Sequence, residues 1–386
     1  MKRLNIKAIQ SGLTLIELLV AMTIGLFMLL AIALVYSTSK TGFSYANNTV
    51  RMTEDASFAL DVIGRDIRMA SYAGCTGSNV RTSGTPAVEY YTPKLDTIAT
   101  QTVNGNSKPN PFSGVVGGNL LQLFSSKNAV WGFAANDTAA IGVLGGSAST
   151  YQPSTTMPML YLAGGSTQAL QVNAAVATVA SDIPIAADTY KWANNSSLFM
   201  IISDCKASEV FRSTSVLASG AIYNVAHAAT RNDSANLANT YGSDAMVMPL
   251  TTSVYFIATR SKATTPSLYR RSFNGETATF EELVTNVEAI TFHYGVNDTS
   301  VTAAGEPTYR ADNYITSPAS VTDWSKVVSV RIGLIMVSED LGKAIPNSSG
   351  TATPIKWIGA DYTPPNDSRL RRSYSTTVSI RNRMGL

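Results

Sequence analysis

The sequence predicts an α+β protein in which a long N-terminal stem helix, hydrophobic and then amphipathic, packs on a C-terminal antiparallel β-sheet domain. Three observations predict it. Residues 13–36 form an apolar run broken by one charged side chain, Glu17. Apolar residues then recur at alternating steps of four and three through Ala56, Leu60, Ile63, Ile67 and Ala70, the signature of a helix with one buried face. The second half of the chain holds runs of β-branched and aromatic residues bounded by turn formers, which read as strands.

The first element is long enough to span a membrane. Leu13 to Tyr36 is 24 residues, and at ~1.5 Å per residue a helix of that length exceeds the ~30 Å hydrocarbon core of a bilayer. Lys2, Arg3 and Lys7 precede the run and no acid does, so the positive-inside bias places the N-terminus in the cytoplasm and exports everything after Tyr36. A removable signal peptide would have an h-region of ~7–15 residues and a small-residue cleavage site; this run is longer and carries Glu17. A charge deep in a membrane helix costs on the order of 2.5–3.5 kcal/mol, so Glu17 calls for a partner, and an amine is the natural one. The spacing Thr14-x-x-Glu17 is also a capping box, in which the carboxylate satisfies backbone N–H groups; the two roles are compatible.

The stretch Gly12-Leu13-Thr14-Leu15-Ile16-Glu17-Leu18-Leu19-Val20 resembles the class III signal of type IV pilins and type II secretion pseudopilins. The resemblance implies cleavage between Gly12 and Leu13 by a membrane aspartic prepilin peptidase on the cytoplasmic face, followed by N-methylation of Leu13, so that residues 1–12 are a leader. Glycine suits the position because an extended backbone without a side chain enters a protease cleft freely. Cleavage frees an α-amine four residues before Glu17. In a filament, the carboxylate of an incoming subunit can then meet the terminal amine of its neighbour within lipid, where low dielectric makes attraction large and an unpaired charge costly.

Removing residues 1–12 leaves 26 basic against 26 acidic side chains, a balance that gives no bulk attraction for nucleic acid. Charged residues are only 14% of the chain, and Ser, Thr, Asn, Gly and Ala dominate long stretches, as suits an exported β-rich surface. The two cysteines, Cys75 and Cys205, both fall on the exported side, where thiols oxidise, and a single disulfide is the expected pairing. It would close a loop of 129 intervening residues, worth roughly 4–5 kcal/mol by chain entropy. With His227 and His293 as the only other soft or imidazole ligands, no zinc spacing exists, and neither a metal nor a cofactor is expected.

With no proline before Pro86, one helix is expected from about Thr14 to Ala73, on the order of 90 Å long, its amphipathic half being 37–74. Asp61 and Arg65 stand at i and i+4 on its outer side, and Gly74-Cys75 marks its stop. The exported domain then covers 75–386. Within it, about 76–183 reads as a variable-looking insert of short strands between polar loops, with apolar pieces at 120–124 and 159–162. Leu198–Ile202, Val254–Ala258, Val287–Tyr294 and Val327–Val337 read as strands, and Asn274-Gly275 as a hairpin turn between 267–273 and 277–281, unless the second arm starts a short helix at Phe280. An antiparallel sheet laid on the apolar face of the stem is the most economical arrangement.

Together with the N-terminal signal, Gly74-Cys75, Ser203-Asp204-Cys205, Val287 to Gly295, Val330 to Leu334 and the closing Tyr374 to Arg383 resemble PilW-type minor pilins. No Gly-x-Ser-x-Gly, Walker loop, dinucleotide fingerprint or His-Glu-x-x-His is present, so an enzyme is not expected. The acid pairs Glu281-Glu282 and Glu339-Asp340 read as solvated element ends rather than as a glycosidase pair. Arg369, Arg371, Arg372, Arg381 and Arg383 make the last eighteen residues basic; they read as the solvent side of a last strand, with Arg381 and Arg383 on one face, although contact with an acidic pilin or with DNA is a functional alternative.

The resemblance implies a structural subunit that joins other minor pilins and the major pilin, meets the prepilin peptidase and the inner-membrane assembly platform, and sits in the inner membrane through residues 13–36 before passing to the filament. With those partners it would prime pilus growth and sit near the tip. A minor pseudopilin of a type II secretion system and a tip adhesin or DNA-uptake pilin are the rival readings.

Overall fold

The computed structural model describes residues 14–74, 91–93, 101–103, 106–108, 129–137, 140–141, 144, 150–186, 189–190, 192, 198–228, 232, 235–273, 278–298, 310–339, 354–367 and 369–383. Gly12, Leu13, Cys75, Asp340, the apolar piece at 120–124 and the turn Asn274-Gly275 lie outside them. The chain forms two compact units, residues 1–53 and 54–386, with the boundary inside the single long helix.

That helix, α1, runs Leu15–Met69, 55 residues. It stops four residues earlier than the glycine signal suggested. Ala70 and Tyr72 donate to the Ile67 and Met69 carbonyls, and Ser71 takes a left-handed φ of 65°, so the turn closes before Gly74, itself at φ 92°. The buried stripe differs at one position: Ala56, Ile63, Ile67 and Ala70 are buried as expected, and Ala59 is buried in place of Leu60, which is half-buried. The steps four and three persist, but the smaller alanine faces the sheet. Asp61 and Arg65 form the expected ion pair at 3.2 Å on the exposed side.

The second unit holds two main sheets rather than one. Its strands are β1 (Met159–Gly165), β2 (Phe199–Ser203), β3 (Ser208–Arg212), β4 (Met246–Arg260), β5 (Ser267–Phe273), β6 (Ala278–Thr285), β7 (Val287–Val296), β8 (Asn313–Ile315), β9 (Val327–Val337), β10 (Ile355–Trp357), β11 (Ala360–Tyr362) and β12 (Arg371–Ser379). In the larger sheet β3 pairs β2, β2 pairs the start of β4, and β4 pairs β5, which pairs β6, all antiparallel. Tyr91–Pro93 adds a parallel edge on β3, the departure from an all-antiparallel arrangement. β4 is 15 residues long and exchanges β2 for β1 near Pro249, a residue that has no N–H to give the ladder. β6 is a strand throughout, so the helix alternative at Phe280 does not form.

The smaller sheet has the order β8-β7-β9-β12. β9 is its centre, buried at ten of its eleven positions, as a strand covered on both sides must be. A three-stranded sheet of Ser215–Ser219, Ile222–Ala226 and Ile183–Ile185, the hairpin β10–β11 and the pair Gln101–Val103 and Asn106–Lys108 stand apart from the two main sheets, while the short strands Val130–Phe133, Tyr151–Pro153 and Leu170–Gln171 join the larger one.

The last turns of α1 lie against both sheets. Ser71 N–H donates to Ala163 O at 2.9 Å and Gly165 N–H to Tyr72 O at 2.7 Å, so the chain leaving the helix joins the edge of β1. Gly164 is there because of that approach: a Cβ on it would lie 2.4 Å from the Met69 carbonyl oxygen. Gly164→Ala is expected to lower stability by about 1–3 kcal/mol, the usual cost of overpacking, read as a drop in melting temperature of the full chain in detergent; an unchanged melting temperature would count against this packing.

Candidate functional site

The N-terminal segment carries the strongest sequence signal, and its geometry begins with a closed capping box. Thr14 N–H and Oγ1–H both donate to Glu17 Oε2 at 3.0 Å, and Glu17 N–H points at Thr14 Oγ1 at 3.4 Å. The carboxylate thus satisfies a first-turn donor that the helix cannot. It remains exposed, with a second oxygen open to another donor. Beyond it the helix presents apolar side chains outward: Leu15, Ile16, Leu26, Phe27 and Tyr36 are each at least 70% exposed. An exposed apolar surface of this extent marks a membrane or protein contact, and the helix is long and apolar enough to cross a bilayer.

Where α1 meets the sheets, polar groups that the sequence reading did not single out make the junction. Asp66 accepts from the buried Tyr255 hydroxyl at 2.5 Å and lies 3.6 Å from Arg270, which also holds Glu281 at 2.7 Å. Burial, then the Asp66 charge, pushes the Tyr255 phenol well above its usual range, so it stays a donor. Only the spacing of Asp66 between Ile63 and Ile67 hinted that this acid stands beside the buried stripe. A small open pocket nearby is lined by Asp66, Met69, Gly165, Thr251 and Ser253; its carboxylate is already engaged, and no second titratable group faces it.

The basic C-terminal end departs from expectation. Arg381 to Arg383 is a short 3-10 helix, not strand, and Arg383 is 4% exposed. Its guanidinium donates to Ser71 Oγ at 3.0 Å, to Val327 O at 3.0 Å and to Trp324 O. Burial pushes it down to about 10. Asn382 donates to the Arg68 and Ala70 carbonyls at 3.2 and 3.0 Å, capping α1. The physical reason is that the last four carbonyls of a helix need donors, and the C-terminal segment brings them.

Arg371 is likewise not on a solvent face. It is the buried centre of an ion network, paired with Glu288 at 2.8 Å and with Asp367 at 2.6 Å, while Tyr362 OH donates to Glu288 Oε1 at 2.5 Å. The Arg371 hydrogen bonds hold the Asp367 carboxyl below its ordinary 3.8. Asp367 therefore contributes stability that is complete above the unfolded value and is lost as pH falls through the lower folded one. Arg371→Met is expected to cost about 3 kcal/mol at neutral pH, since it leaves Glu288 without its counter-charge and Asp367 with only the looser Arg369 contact at 3.7 Å. The loss should shrink below about pH 4 as the acids protonate. A pH series of melting temperatures checks both; a cost that does not change with pH would remove the electrostatic account.

Glu281 and Glu282 pair with Arg270 and Arg260, which accounts for them without catalysis. His227, expected in a polar region, is buried, with its ring nitrogens 2.7 Å from Ala235 O and 3.0 Å from Ser181 O. His293 is half-buried on β7. Cys205 is disulfide-bonded, and Cys75 lies outside the described residues. No group of three or more His, Cys, Asp or Glu with metal-holding geometry occurs among the described residues.

A long N-terminal apolar helix opening on an acid and followed by a domain of antiparallel sheets defines the type IV pilin-like class, and residues 7–33 match the prokaryotic N-terminal methylation motif. Residues 254–382, about a third of the chain, match the family model of the type IV pilus-assembly protein W, PilW, so the chain carries a PilW family-model domain behind a methylation motif, and that family is structural rather than catalytic. Among solved structures, a type IV-like pilin from Thermus thermophilus is similar at 17% identity, over 35% of this chain and 69% of that one, with a TM-score of 0.20. No curated protein matches.

Proposed function

We propose that this chain is a minor pilin of a type IV pilus, a structural subunit that joins other minor pilins at the inner membrane to prime growth and is carried near the tip. The observation that carries the reading is Glu17, the single charge in the apolar run 13–36, whose large side chains point outward. Prepilin peptidase cuts between Gly12 and Leu13, Leu13 is N-methylated, and the new amine of one subunit pairs with Glu17 of the next within lipid. Residues 13–36 anchor the subunit with its N-terminus cytoplasmic and residues 75–386 periplasmic, while 37–74 carries the helix into the domain. Cys75 and Cys205 form the disulfide that ties the stem's end to the exported domain. Partners are the major and minor pilins, the peptidase and the assembly platform; no cofactor is required.

Mass spectrometry of the protein from sheared pili tests this directly. The expected N-terminus is a methylated Leu13; recovery in filaments of a chain beginning at Met1 would overturn the reading. A pseudopilin of a secretion system shares the same N-terminal chemistry, and recovery from the membrane with none in pili would favour it. An adhesin or DNA-uptake role would appear as adhesion or transformation lost with piliation intact when part of 76–183 is deleted.

A further inference from the structure

The outer face of the smaller sheet carries an arrangement that the filament reading does not use. His293 on β7 and Arg331 on β9 are direct cross-strand partners, and Arg331 is in turn opposite Thr377 on β12. Directly paired residues of antiparallel strands project to the same face with Cβ atoms about 4.5–5.5 Å apart. Two groups that are cationic when protonated therefore stand side by side, and like charges so placed are destabilising. Nothing among the described residues relieves them: neither forms an ion pair. Glu288, further along β7, is held by Arg371 and Tyr362.

Arg331 is also held in place. Its guanidinium carbon lies 4.2 Å from the centroid of the Tyr314 ring on β8, a cation–π contact. Its Nε donates to Thr377 Oγ1 at 3.3 Å. Those two contacts fix the plane of the fork, and among the described residues its terminal nitrogens have no hydrogen-bond or ion-pair partner, which is the geometry that takes a carboxylate through two parallel hydrogen bonds. Tyr314 reaches this position across Gly295, where a Cβ would meet Ser329 Oγ at 2.2 Å and Tyr314 Cε1 at 3.0 Å, and its hydroxyl is tied to Ser329 Oγ at 3.2 Å. Burial, and then the Arg331 charge, holds the His293 imidazole below its ordinary value, and an anion between the two would reverse the second effect.

We propose that Arg331 and His293, oriented by Tyr314 and Thr377, bind the side-chain carboxylate of an acidic peptide segment of a partner protein. Binding to DNA is disfavoured by the charge count, because affinity for a phosphate backbone accumulates over many contacts, whereas here one fork and one imidazole stand among the exposed hydroxyls of Ser375, Thr377 and Ser379. The site does not depend on how the N-terminus is processed, so it can fail while the pilin reading stands, and the reverse.

The test uses the full chain in detergent micelles and fluorescein-labelled hexaglutamate, with hexaglutamine and a short DNA duplex as comparisons, read by fluorescence anisotropy. Hexaglutamate is expected to bind and hexaglutamine not. Arg331→Gln is expected to weaken hexaglutamate by about tenfold, the scale of one hydrogen-bonded charged contact, and His293→Gln by a smaller factor. Arg331→Lys keeps the charge and loses the fork, and Thr377→Val frees the fork to rotate; both are expected to weaken binding while melting temperature holds, which keeps the test valid if the glutamine variant does not fold. Equal binding of hexaglutamate and hexaglutamine, wild-type affinity in folded Arg331 variants, or Arg331-dependent binding of the duplex in preference to hexaglutamate would each overturn the proposal.

Discussion

Glu17→Ala is expected to reach the membrane at wild-type levels and to disappear from filaments. Breaking one partner of a buried ion pair costs about 3–5 kcal/mol, which lowers incorporation by about a hundredfold or more at equilibrium. Because Glu17 also closes a capping box with Thr14, alanine removes two functions together. Glu17→Gln separates them, since glutamine serves in a capping box and carries no charge. Loss of both variants from sheared pili, with both retained in the membrane fraction, assigns the effect to the charge. Normal incorporation of the glutamine variant would leave capping as the only role for this residue.

Arg383→Met is expected to be the most destabilising substitution in the β-rich unit 54–386, by about 3–5 kcal/mol. The guanidinium is buried and satisfies Ser71 Oγ and the Trp324 and Val327 carbonyls; methionine fills part of the space and gives none of those donors. Each carbonyl left unpaired costs about 1–3 kcal/mol, and hydrogen bonds from a charged donor are the stronger kind. The effect should spread to the helix end, because Asn382 beside it caps the Arg68 and Ala70 carbonyls. Hydrogen exchange at the last turn of α1 and chemical denaturation of the full chain measure it. Exchange unchanged at residues 68–72, together with a loss below about 1 kcal/mol, would mean that the C-terminal segment does not hold the stem. Arg383→Lys restores charge without the planar fork and is expected to recover only part of the stability.

Elements whose causes are local were legible. The helix followed from an apolar run, a four-and-three repeat and the absence of proline, and Asp61–Arg65 from spacing alone. The bounds Val327–Val337 and Ser267–Phe273 follow from runs of β-branched and apolar residues, whereas β6 runs on to Thr285, beyond the 277–281 arm that the Asn-Gly signal suggested. The capping role of Thr14 and Glu17 is a property of four consecutive residues and needs no tertiary contact. The match to PilW at 254–382 covers the part of the chain where strand patterning was clearest.

Errors fell where distant segments meet. Leu60 falls on the buried face by its four-and-three spacing, but the side that packs is set by how closely the helix approaches the sheet, and Ala59 is buried instead. Two sheets form in place of one because β8, β7, β9 and β12 pair among themselves and not with β4, a decision between competing edges that pattern does not encode. The arginines near the C-terminus were read as solvent-facing from their charge, and Arg371 and Arg383 are buried.

The sequence by itself determined a membrane-length helix that opens on an acid, a β-rich domain behind it and the absence of known catalytic motifs, since each depends on composition or on spacing within a few turns. Tertiary structure alone decided which charges are buried and what they hold: Arg383 at the helix end, Arg371 between two acids, Arg331 beside His293. The physical reason is that burying a charge is unfavourable until particular partners arrive, and those partners lie tens to hundreds of residues away in the chain.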